Sequence, residues 1–333
     1  MPEPDKPLTV NSEIVFSEQE VLGFRNQAKE AVSREKQKPI IQDFVAEMAS
    51  INPDHFKYHI LGHAEDFAEE AAFILLSERS IEQKVASGQL RTDDVVVYDN
   101  PGDEYLSDQE RVEQFTITDE DISDLIALGY LHDIRLKDVP FGNKGRGHEE
   151  MVVNDENILS KLKGARYSDA RINLLFALTI GTQLRPTNFN DPPEDMILMP
   201  LPAREIYNRF NLNSCGIGFK KFKLLLGVAR DSDLSNLGRP NSIGETEKVY
   251  FDENRTKPGM PGFKSDDYRD FIFRTWHGFF SPNDWHTRTA KAIYADIRGK
   301  NLEETRIEAL KWAEVSQAKN TKIIIALNNI PQP

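Results

Sequence analysis

The stretch Thr118-Asp119-Glu120-Asp121-Ile122-Ser123-Asp124-Leu125-Ile126-Ala127-Leu128-Gly129-Tyr130-Leu131-His132-Asp133 decides how this chain is read. Three acidic residues follow the threonine, in what would be a first helical turn, where carboxylates suit the positive end of the helix dipole. Ile122, Leu125, Ile126 and Leu131 then recur at helical spacing. This apolar helix runs directly into a charged pair, His132-Asp133. Burying such a pair is costly without a partner, and a metal ion is a good partner.

The same periodicity extends on both sides. From Glu18 to about Ser50, Val21, Phe24, Ala28, Val32, Ile40, Ile41, Phe44, Val45 and Met48 predict helix with a break near Pro39. Asn52-Pro53-Asp54 is a turn signal, after which Ala64, Phe67, Ala71, Ala72, Ile74 and Leu75 predict a second helical stretch. Residues 80–118 are polar and read as a long connection, with a short strand at Val95–Tyr98. Downstream, Phe141–Gly147 is a glycine-rich loop, followed by helices from near His148 to Leu162 and over Ser168–Thr182. Five prolines between 185 and 202 predict irregular chain. Phe219–Leu234 is helical and stops at Gly238-Arg239-Pro240. Helices over Asp267–Phe280, Asp284–Arg298 and Glu303–Asn320 close the chain. With no alternation of strands and helices, the predicted class is all-α. We expect residues 1–17 to form a disordered or loosely docked arm, 18–240 a metal-binding helical domain, and 241–333 a helical extension on the same core.

Composition narrows the function. The 333 residues carry 41 basic and 54 acidic side chains, a net charge of −13. An acidic surface repels polyanions, so neither a nucleic-acid polymer nor an anionic membrane is an expected partner. A small anionic substrate is compatible, because a cation in one pocket reverses the local field. The one cysteine, Cys215, rules out an intramolecular disulfide and has no evident histidine partner. No run approaches the roughly 20 apolar residues of a membrane span, and Met1 to Val10 has no signal-peptide pattern. A cytoplasmic location is expected.

Four of the seven histidines, His59, His63, His132 and His148, fall in or beside strong helical patterns. His59 and His63 are four apart, so within one helix they share a face. Asp231 and Asp233 lie at the end of the helix through Leu224–Val228, in the same kind of place as His132-Asp133. Two histidines and two carboxylates form a mixed nitrogen and oxygen site for Mn, Mg, Fe, Co or Zn, with coordination positions left for water and substrate. In the last third, Trp276, His277, Trp285 and His286 read as packing residues.

The ordered set His63, His132-Asp133 and Asp233 resembles the H…HD…D signature of the HD superfamily of metal-dependent phosphohydrolases. Tyr58-His59-Ile60-Leu61-Gly62-His63-Ala64-Glu65-Asp66 is similar to the Tyr-His-Asn-x-x-His-Ala-x-Asp segment of that superfamily's cyclic-nucleotide phosphodiesterases, with Ile60 in place of the Asn. His148-Glu149-Glu150, Thr182-Gln183 and Asp231-Ser232-Asp233-Leu234-Ser235-Asn236-Leu237-Gly238 resemble further motifs of the predicted HD phosphohydrolases. The resemblance covers roughly residues 50–240, and more weakly 270–310.

The resemblance implies an HD-type helical bundle with extra N- and C-terminal helices. It implies metal ligands His63, His132, Asp133 and Asp233, with Asp231 as the alternate fourth ligand. It also implies hydrolysis of a phosphate ester, on a nucleotide or another small phosphorylated molecule, by a metal-activated water. Asp133 would orient that water and His59 would act as general acid. His148, Arg135, Lys144, Arg146 and Gln183 would contact the substrate or support the ligands. Two other functions remain open: an HD-fold iron oxygenase, and a non-catalytic metal-binding regulatory module. All of these readings fail if the side chains of His63 and Asp133 lie more than about 8 Å apart, far beyond ligand bonds of roughly 2 Å.

Overall fold

In the computed structural model, described over residues 16–51, 60–90, 106–111, 113–138, 147–186, 198–235 and 284–315, the chain is all-α. It has eleven α-helices and one two-stranded ladder among those residues. The helices begin where local chemistry says they should. Ser17 and Thr118 form capping boxes with Glu20 and Asp121, opening α1 (Glu18–Glu35) and α5 (Asp119–Leu131). Pro39 occupies the first turn of α2 (Pro39–Ala49), which explains the predicted break.

The long central helix α3 (Leu61–Ala86) carries Ala64, Ala68, Ala71 and Ala72 among its fully buried residues. These small residues let α5 approach closely. A Cβ added at Gly129 would sit 3.0 Å from the Ala64 carbonyl oxygen, the Ala68 nitrogen and the Phe67 ring, so any larger residue would crowd this crossing. Arg79 near the end of α3 pairs with Asp119 at the start of α5 at 2.6 Å, whereas His63 at the start of α3 lies beside Asp133 just past α5. The two helices are therefore antiparallel.

The short α4 (Asp108–Arg111) lies in the connection to α5. Beyond a 3-10 turn at Leu136–Asp138 come α6 (His148–Val153), α7 (Glu156–Gly164) and α8 (Asp169–Gly181). The single helix expected from His148 to Leu162 is split in two. Asp155 adopts an extended conformation and its carboxylate accepts the Asn157 and Ile158 N–H groups, so a new helix starts there. The proline-rich segment begins and ends in an antiparallel ladder, β1 (Leu184–Pro186) with β2 (Leu198–Pro200), which periodicity did not reveal. Then follow α9 (Ala203–Arg209) and α10 (Phe219–Asp233).

The C-terminal part differs from expectation. One continuous helix, α11 (Arg288–Val315), replaces the predicted pair over 284–298 and 303–320. A lone Gly299 costs a helix only about 1 kcal/mol, too little to end it, and beyond it the Thr305 hydroxyl donates to the Asn301 carbonyl within the same helix. Trp285, Ala290 and Tyr294 join the same hydrophobic core as α3, α5 and α10. The expected strand at Val95–Tyr98 and helix at Asp267–Phe280 lie outside the described residues, as do residues 1–15 of the expected arm and 141–146 of the glycine-rich loop. Among the described residues, no helix is long and apolar enough to cross a membrane.

Candidate metal centre

Three helix ends meet at one end of the bundle. His63 is in the first turn of α3, His132 and Asp133 follow the last turn of α5, and Asp233 is the last residue of α10. The carboxyl ends of α5 and α10 bring two negative poles of the helix dipole, which favour a cation, against the one positive pole at the amino end of α3.

His63, His132 and Asp233 each bring a ligand atom to within 4.8 Å of the others, and the cluster could hold a metal ion. The separations are 3.2 Å from His63 Nε2 to Asp233 Oδ1 and 3.4 Å from His132 Nε2 to the same oxygen. Asp133 Oδ2 lies 3.1 Å from His132 Nε2 and 3.6 Å from His63 Nε2. Two bonds of about 2.1 Å to one ion place their ligand atoms about 3.0 Å apart at a right angle and about 3.4 Å apart at a tetrahedral angle. The observed spacings fall close to those values.

The orientation of His132 supports a cation. Its Nδ1 lies 3.2 Å from the Leu128 carbonyl, which can only accept, so Nδ1 carries a hydrogen and Nε2 faces the cluster. His132 is 1% exposed, yet its Nε2 has no aligned hydrogen-bond partner. Phe67 packs on the ring at 4.7 Å between centroids and keeps it in place. Burial alone would push His132 down, but the carboxylates of Asp133 and Asp233 overrule it and hold the imidazole well above the usual histidine range. Burial likewise works to raise Asp233, and the imidazoles of His132 and His63 overrule it, leaving the carboxyl at about 2.

A supporting chain runs outward from Asp133. Its Oδ1 lies 2.8 Å from His148 Nε2, which is 3.5 Å from Glu149 Oε1, and Gln183 Nε2 donates to Glu149 Oε2 at 3.0 Å. All four residues are buried. Sequence reading singled out His148 and Gln183. The part Glu149 plays as the link between them had no signal beyond its place in His148-Glu149-Glu150.

The two aspartates of α10 go separate ways. At about 100° per residue, positions 231 and 233 point to nearly opposite sides of a helix. Asp233 faces the histidines. Asp231, fully buried, accepts the backbone N–H groups of His286 and Thr287 at 2.8 Å and the Thr287 hydroxyl at 2.7 Å. Burial pushes its carboxyl up to about 7 against those donors.

Other expected site residues lie elsewhere. Arg135 is held by Asp155 at 2.6 Å, Glu47 at 3.0 Å and Asp138 at 3.5 Å, and so ties the end of α5 to α2 and α7 rather than facing the cluster. His59, Lys144 and Arg146 lie outside the described residues. The helix carrying His63 begins at Leu61, with Ile60 extended at φ −118 and ψ 173 as its N-cap. His286, read as a packing residue, is buried against α10, where desolvation and the charges of Arg230, Lys223 and Lys291 hold its imidazole well below the usual range. No protein-family model, curated protein or solved structure matches the chain.

Proposed function

We propose that the chain is a metal-dependent phosphohydrolase acting on a phosphate ester of a nucleotide or another small phosphorylated molecule. The observation that carries this reading is the convergence of His63, His132 and Asp233, with Asp133 Oδ2 3.1 Å from the Nε2 of buried His132. His63, His132, Asp133 and Asp233 would hold the ion, which supplies a lowered pKa for bound water and a positive pole for a phosphoryl oxygen.

The protein's own contribution is positioning. Asp133 has one oxygen among the other ligand atoms, and its second is tied to His148, so the carboxylate is fixed in orientation. The Leu128 carbonyl sets the ring of His132. His148 and Glu149 stand beside the cluster as groups able to carry a proton. Mixed imidazole and carboxylate donors suit Mn, Mg, Fe, Co or Zn.

The test is incubation of the purified protein with Mn, Mg, Co or Fe against a panel of nucleotides and phosphoesters. Phosphate release by the wild type and its loss in His132→Ala supports the proposal. Bound iron with oxygen consumption and no phosphate release would replace it with an oxygenase, and bound metal without turnover would replace it with a regulatory module.

A further inference from the structure

The segment 286–289 joins the two helices that carry His63 and Asp233. On one side, the His286 and Thr287 N–H groups and the Thr287 hydroxyl converge on Asp231 of α10. On the other, the Thr289 N–H and hydroxyl reach Glu78 Oε1 at 2.9 Å, and Arg288 reaches Glu78 Oε2 at 2.6 Å. The approach to α10 is tight: a Cβ on Gly227, one turn before Asp231, would sit 3.2 Å from the His286 side chain. Both oxygens of Asp231 are thereby occupied, and the last turn of α10 is held at a defined rotation two residues before Asp233.

We infer that Thr287 is a positioning residue for the metal centre. Its hydroxyl and backbone N–H lock Asp231, and this lock aims Asp233 Oδ1 at His63 and His132. The inference rests on the reading of the cluster as a metal site. Thr289 provides a comparison, being buried, in the same segment and bonded by its hydroxyl to a carboxylate, although the Thr287 hydroxyl also accepts the Ala290 N–H at the start of α11. Glu78, the partner of Thr289, lies fifteen residues along α3 from His63, about 22 Å of helix away.

The experiment titrates Co(II) into the full-length protein and follows both affinity and the visible absorption bands of the bound ion. Thr287→Val, which keeps the shape and removes the hydroxyl, is expected to weaken Co(II) binding at least fivefold and to change the bands. Thr287→Ser should restore both to within twofold of the wild type. Thr289→Val should lower the melting temperature while leaving affinity and spectrum unchanged. If the valine variant at 287 does not fold, Thr287→Ala takes its place. Wild-type affinity and spectrum in the 287 variant, or equal losses in the 287 and 289 variants, overturn the inference. A wild type that binds no Co(II) overturns the metal reading itself, and the inference falls with it.

Discussion

His148 Nε2 lies 2.8 Å from Asp133 Oδ1, while the other oxygen of that aspartate sits 3.1 Å from His132 Nε2. One carboxylate therefore links the candidate ligand cluster to a supporting histidine, and its orientation depends on both.

Loss of that support should weaken metal binding without abolishing it. Partners that orient a ligand are typically worth about 10–100-fold in affinity. His148→Ala is expected to fall in that range, measured by competition with a chromophoric chelator. An affinity equal to that of the wild type would show that Asp133 needs no help from His148.

Gly129 controls the crossing of α3 and α5, and with it the spacing of His63 and His132. A methyl group there meets backbone atoms of α3 at 3.0 Å, which cannot move independently of the helix. Gly129→Ala should cost about 1–3 kcal/mol, as overpacked cores do, and should lower metal affinity as the two histidines are pushed apart. Urea unfolding checks the first part and metal titration the second. A variant as stable as the wild type would mean that the helices separate freely.

Stability in acid should depend on Glu110. Arg204 holds its carboxyl down, burial opposes this, and the backbone N–H and hydroxyl of Ser107 lower it further, leaving it at about 2. A carboxyl lowered on folding stabilises the folded state above its unfolded value of about 4.3, and this contribution is lost as the pH falls towards 2. The paired side chains are 24% and 20% exposed, and solvent screening leaves about 1 kcal/mol of pH-dependent stability. Glu110→Gln should flatten the stability curve between pH 5 and pH 2 by about that amount. An unchanged slope in acid would count against the assignment.

Much of the helical architecture could be read from local signals. The capping boxes at Ser17 and Thr118, the proline at position 39 and the apolar spacing of α3, α5 and α10 all act within a few residues. The split at Asp155 was less legible, because a good capping residue inside an apolar pattern matters only when its carboxylate turns to the following N–H groups. The β1–β2 pair was hidden for a related reason. Three-residue strands carry almost no periodicity, and their pairing joins segments fourteen residues apart.

The candidate site divides in the same way. The residue types able to bind a cation, and their places at helix ends, are properties of the chain read in order: His63, His132-Asp133 and the pair Asp231 and Asp233. Sequence also dictates that the last two point to opposite sides of a helix, since that follows from residue spacing alone. Which side meets the histidines was decided by packing, as His286 and Thr287, just before α11, take Asp231 and leave Asp233 to the cluster. The partners of Arg135, held by Glu47 and Asp155, were decided there too. Helix formation is governed by neighbours in the chain, whereas helix rotation and side-chain partners are governed by contacts between residues tens to hundreds of positions apart.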